Sequence, residues 1–117
     1  MARILAGWDI TVAASLAEFS HASRCSHFDL VIVGCHFDGS RALDAVRTAM
    51  TKVPRVPLAC VLAAPFSSAL GEGTVAAFHA AAEELGVDCF IDVLQLPDDE
   101  AGNARVRAML ERLLFVT

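Results

Sequence analysis

The chain lacks any apolar run approaching the roughly 20 residues that a membrane-spanning helix requires. Its N-terminus, MARILAGWDITVAAS, turns polar at Trp8-Asp9 and offers no long apolar stretch of the kind a signal peptide carries. A cytoplasmic location with no membrane contact is the expectation. The chain also lacks a basic cluster. Its nine Lys and Arg residues are scattered among 14 acidic ones, for a net charge of −5. A nucleic-acid binder gathers such residues on one face, so contact with DNA or RNA is not expected. The four cysteines, Cys25, Cys35, Cys60 and Cys89, fit no CxxC or zinc-ribbon spacing. Cys60 and Cys89 sit in apolar runs, where a free thiol behaves as a small hydrophobe. No phosphate-loop lysine follows Gly71-Glu72-Gly73-Thr74, and Ser67-Ser68 lies outside any Gly-x-Ser-x-Gly elbow.

What the chain has is apolar content. Hydrophobic residues make up 56% of its 117 positions and charged residues only 20%. That balance suits strands buried on both faces, as in a parallel sheet covered by helices. The length suits one domain, residues 1–117.

The periodicity alternates between short β-like and longer helical stretches. Residues 10–13 read as a short strand. Ser15, with Glu18 three positions on, forms a capping box for a helix to about Ser23. Residues 30–33 form a strand ending at Gly34, and a helix follows from a cap at Ser40 through Met50, with Leu43, Val46 and Met50 facing inward. Pro54 and Pro57 precede a strand over Leu58–Leu62. A helix over 73–85 carries the stripe Val75, Phe78, His79, Ala82 and Leu85, and Gly86 suits its C-terminal cap. Residues 89–93 form another strand. Asp98, Asp99 and Glu100 favour the N-terminus of a last helix over 101–114. Residues 1–7 read either as the end of a helix or, over 2–5, as a strand turning at Ala6-Gly7 into residues 8–12. Strand–helix alternation with short links predicts an α/β fold with a parallel sheet.

The densest polar segment, His36-Phe37-Asp38-Gly39-Ser40-Arg41, follows a strand at the carboxyl end of the sheet, where ligands bind in open α/β folds. One reading is structural: Asp38 and Ser40 cap the next helix, Gly39 permits a tight turn, and Arg41 pairs with Asp38 or Asp44. The other makes His36, Asp38, Ser40 and Arg41 a ligand site that faces Pro65–Ser68 across one sheet end and takes a small anion or nucleotide. Cys25 with His27 and Cys35 with His36 suit zinc chemically, but a strand of roughly 20 Å separates the pairs. No metal, no cofactor and no catalytic set is expected.

Specific segments carry a family resemblance. The run from Trp8 to Glu18, the strand Phe28-Asp29-Leu30-Val31-Ile32-Val33, the stretch Val56-Pro57-Leu58 and the run Leu85-Gly86-Val87-Asp88-Cys89-Phe90 resemble, in order, the second to fifth strand units of the bacterial response-regulator receiver domain. The loop from Gly34 to Arg41 is similar to one in a group of uncharacterised proteobacterial receiver-like proteins. The resemblance implies a flavodoxin-like three-layer sandwich with a mostly parallel sheet and its first strand and helix truncated. It also implies lost chemistry. Gly34 stands where the phosphoacceptor aspartate belongs, Leu62, Ala63 and Ala64 replace the Ser/Thr region, Val93 replaces the lysine, and the magnesium-binding acidic pair has no counterpart. Phosphoryl transfer needs a carboxylate nucleophile, a metal and a cation. The implied role is therefore a non-catalytic pseudo-receiver, a regulatory module that contacts an unidentified protein partner. Pairing through the face of the last two helices and last strand would place His79, Glu83, Arg105, Arg107 and Arg112 at a homodimer interface.

Overall fold

A computed structural model describes residues 7–38, 41–51, 56–62, 71–97 and 99–115. In chain order the elements are α1 (Leu16–Cys25), β1 (Val31–Gly34), α2 (Ala42–Met50), β2 (Leu58–Leu62), α3 (Gly71–Leu85), β3 (Cys89–Asp92), a 3₁₀ turn (Val93–Gln95) and α4 (Glu100–Phe115). The three strands form an all-parallel open sheet in the order β1-β2-β3. This is the α/β architecture with a parallel sheet that the alternation predicts.

The centre of the sheet explains the apolar composition. Every residue of β2 is buried, and Leu58, Ala59, Cys60 and Leu62 are fully so. Side chains alternate across the sheet. Leu58 and Cys60 therefore join Val33, Val46 and Ala82 on one face, while Ala59 and Val61 join Ile91, Val106 and Leu110 on the other. The first face is covered by α2 and α3, with Leu16 and Phe19 of α1 packed against it. The second is covered by α4, with Trp8 beside it. Two successive strand–helix–strand crossovers of one hand place α2 and α3 on the same face.

Local chemistry sets the boundaries. Ser15 Oγ accepts from the Glu18 amide at 3.2 Å and Glu18 Oε2 accepts from the Ala14 amide at 2.7 Å, so the capping box forms with its return bond one residue early. At the far end of α3, Gly86 takes φ +97°, its amide donates to Glu83 and the Val87 amide to Ala82. This is a Schellman closure, which relies on glycine for the left-handed residue. Asp88 then grips the start of β2, its amide donating to Leu58 O at 2.9 Å and its Oδ2 accepting from Leu58 N at 2.8 Å. Asp99 Oδ1 accepts from the Gly102 amide at 2.9 Å and caps α4.

Several boundaries differ from expectation. Helix α1 runs two residues further, to Cys25, and α3 begins at Gly71. Val93 leaves the last strand for the 3₁₀ turn because Asp92 Oδ1 accepts from the Leu94 amide and bends the chain there. In α2 the fully buried positions are Ala42, Ala45, Val46 and Ala49, and Leu43 and Met50 are only partly covered, since small residues bring the helix close to the sheet. The largest departure is at residues 10–13, which form no strand. Ile10 is 47% and Val12 83% exposed. Their alternation is strand-like, but a ladder needs a neighbouring backbone about 4.8 Å away. A cavity instead lies between Thr11 and Ala13 and strand β1. Residues 1–6, on which the strand-or-helix question turns, lie outside the described residues.

Candidate functional site

The carboxyl end of the sheet is where an open α/β fold would bind a ligand. Strand β1 ends at Gly34, paired with Val61, and the Cys35 amide extends the ladder by donating to Val61 O at 2.9 Å. The chain then turns tightly: the Phe37 amide donates to Gly34 O at 3.0 Å and the Arg41 amide to Phe37 O at 3.1 Å. Asp38 closes the turn with φ +47°, a left-handed conformation that Asp tolerates better than most residues.

The Asp38 carboxylate reaches back to α1. Its Oδ2 accepts from the Leu16 amide at 3.0 Å, so Asp38 caps α1. That corrects the expectation that Asp38 caps the following helix. Leu16 is the first residue of α1, where amides lack intrahelical acceptors and the helix dipole favours negative charge. The role expected for Arg41 is corrected too. Asp44 pairs with Arg47 at 3.0 Å, at the (i, i+3) spacing of one helix face, and Arg41 is the exposed residue preceding α2. His36 is exposed on the turn. Ser40 and the loop Pro65–Ser68, the opposite wall of the expected cleft, lie outside the described residues.

The thiol beside this turn is buried. Cys35 is 4% exposed, and burial first, then Cys60 and Asp92, push its pKa up to about 12. Burial, with Cys89 adding to it, pushes Cys60 up to about 11. Burial also raises Cys89, aided by Asp88. A thiol needs its thiolate to act as nucleophile or ligand, and these environments oppose it. Cys25 differs: it is exposed on α1, with Sγ 3.7 Å from His21 Nε2, at a four-residue spacing that the sequence reading passed over for His27.

The expected interface residues divide into two groups. His79 and Glu83 stand together on α3, with Nε2 and Oε1 2.8 Å apart, and the His79 ring stacks on Phe90 of β3 at 4.4 Å between centroids and 12° between planes. The arginines belong to α4, on the opposite face of the sheet. Arg105 and Arg112 are exposed. Arg107 turns to Trp8, its guanidinium carbon 5.2 Å from the ring centroid, and bonds Glu111 Oε1 at 2.8 Å. Sequence patterning missed this contact, because nothing local to Trp8 signals a cation delivered from a helix a hundred residues later.

No protein-family model, curated protein or solved structure matches the chain. Among the described residues no helix is long and apolar enough to cross a membrane.

Proposed function

We propose that the chain is a non-catalytic pseudo-receiver, a regulatory module that works by protein contact. The observation that carries this reading is at the end of β1. The position where a receiver needs its acceptor aspartate is Gly34, and the carboxylate in the turn that follows is already bonded to the Leu16 amide. A carboxylate held by a backbone donor and displaced by four residues is a poor substitute nucleophile. Val93, in the lysine position, supplies no cation. The helix distribution supports the same reading. A parallel sheet with α2 and α3 on one face, α1 packed beside them and α4 alone on the other is what a receiver lacking its first strand and helix, and the pairing of its second strand, would leave.

The surface we assign to contact is built by α3, β3 and α4. Strand β3 is an edge of the described sheet, and parallel-sheet edges attract a covering partner. Leu94, just past β3, is 46% exposed. Glu83, with His79 bonded beside it, on one side and Arg105 and Arg112 on the other provide opposite charges for a two-fold pairing, in which α3 of one copy meets α4 of the next. Arg107 drops out of this set, because Trp8 and Glu111 hold it. Light scattering at micromolar concentration tests the pairing: a mass near twice the 12.4 kDa chain is expected, and the mass of a single chain contradicts it.

A further inference from the structure

Alongside β1, a half-open cavity of about 120 Å³ lies between the strand, α1 and residues 11–13. Ile32 and its neighbours in β1, Phe19 and Ala22 of α1, Phe28, Phe37 and Thr11 line it. Thr11 has the only polar side chain among the described lining residues and none is charged, although polar atoms still form part of the surface. Close-packed interiors rarely leave voids larger than a water molecule.

Two contacts keep this space from closing. Phe19 and Phe37 meet edge to face at 6.5 Å and 84°, which sets the separation of α1 from the turn after β1. The bond from the Leu16 amide to Asp38 fixes the same separation at the helix end. The segment carrying Thr11 is different in kind. Residues 9–13 stand outside the sheet ladder, so they can part without breaking strand pairing.

We propose that this cavity is a binding site for an uncharged, largely apolar molecule about the size of one aromatic ring. The gain is burial of the ligand's apolar surface against three phenylalanines and aliphatic side chains. Charged ligands are disfavoured, because the described lining residues hold no counter-charge to offset their desolvation. The site is separate from the α3–β3–α4 face and does not rest on the reading of that face.

The test uses the full chain with benzene as the probe and benzoate as the charged control. Benzene at tenfold excess over its Kd is expected to raise Tm by about 5 °C and to shift the backbone amide resonances of Ile32, Val33 and Phe37. Benzoate is expected to do neither. Ala22→Leu fills the space, and its Tm is expected to be insensitive to benzene. If that variant fails to fold, the resonance map of the unaltered chain decides alone. The proposal is overturned if benzene leaves the cavity-lining amides unmoved, if benzoate matches it, or if folded Ala22→Leu responds as the unaltered chain does.

Discussion

The carboxylate of Asp38 accepts a 3.0 Å hydrogen bond from the amide of Leu16, joining the turn after β1 to the first residue of a helix that precedes that strand. One side chain thereby fixes the left-handed turn, the N-terminus of α1 and the spacing between them. It also gives the turn's carboxylate a backbone partner at the sheet end.

This bond predicts a graded series. Asp38→Ala loses the acceptor and places an alanine at φ +47°, for a combined cost of about 2 kcal/mol. Asp38→Asn keeps an acceptor oxygen and tolerates the left-handed region, so its cost is expected to stay below about 0.5 kcal/mol. Asp38→Gly loses the bond but relieves the backbone and should fall between them. Urea unfolding midpoints rank the three, and an Ala variant as stable as Asn would remove the capping role.

Gly102 predicts a sign that helix propensity alone would get wrong. It lies in α4, and a Cβ placed on it would run into the carbonyl oxygen of Pro97. Propensity favours alanine over glycine by about 1 kcal/mol inside a helix. The collision is with backbone, which cannot rotate aside, so Gly102→Ala is expected to be a net loss of roughly 2 kcal/mol. A thermal melt showing stabilisation would mean that the Pro97 segment yields freely.

The cysteines predict both reactivity and pH dependence. Iodoacetamide at neutral pH should label Cys25 and spare Cys35 and Cys60 until the chain unfolds. Burial raises the folded thiols to about 12 and about 11, against an ordinary value of 9.0. Between those limits the unfolded chain has released protons that the folded chain retains. Stability should therefore be unaffected by these groups below pH 9 and fall as pH rises from 9 toward 12. Replacing Cys35 and Cys60 with alanine should flatten that alkaline decline, and an unchanged slope would assign it to other groups.

Trp8 is the only tryptophan and reports directly on its partner. Arg107→Ala removes the cation over the ring and the bond to Glu111, together about 1 kcal/mol. The indole should become more solvated, with emission shifted to the red. Arg107→Lys keeps the charge but not the planar guanidinium, and should recover only part of the effect.

Much of the fold was legible from sequence where one signal acted alone. The run Leu58–Leu62 is uniformly apolar and bounded by prolines, and it is the buried central strand. Ser15 with Glu18, and Gly86 after Leu85, mark helix ends because capping is local chemistry. Legibility failed where two segments distant in sequence compete for a group. Asp38 sits beside one helix in sequence and caps another in space, and no spacing rule encodes that choice. Ile10 and Val12 alternate like a strand, yet pairing depends on a neighbour that periodicity cannot supply. The candidate site was legible as a place, the turn after β1, but the partners of Asp38 and Asp44 were not.

The reading proposed above is of a receiver-like scaffold that works by contact without phosphoryl chemistry. Incubation of the full chain with acetyl phosphate and magnesium, followed by intact mass spectrometry, tests it most directly. No phosphoryl adduct is expected, because Gly34 offers no nucleophile and Asp38 is bonded to the Leu16 amide. One phosphoryl group per chain, lost on Asp38→Asn, would contradict the account.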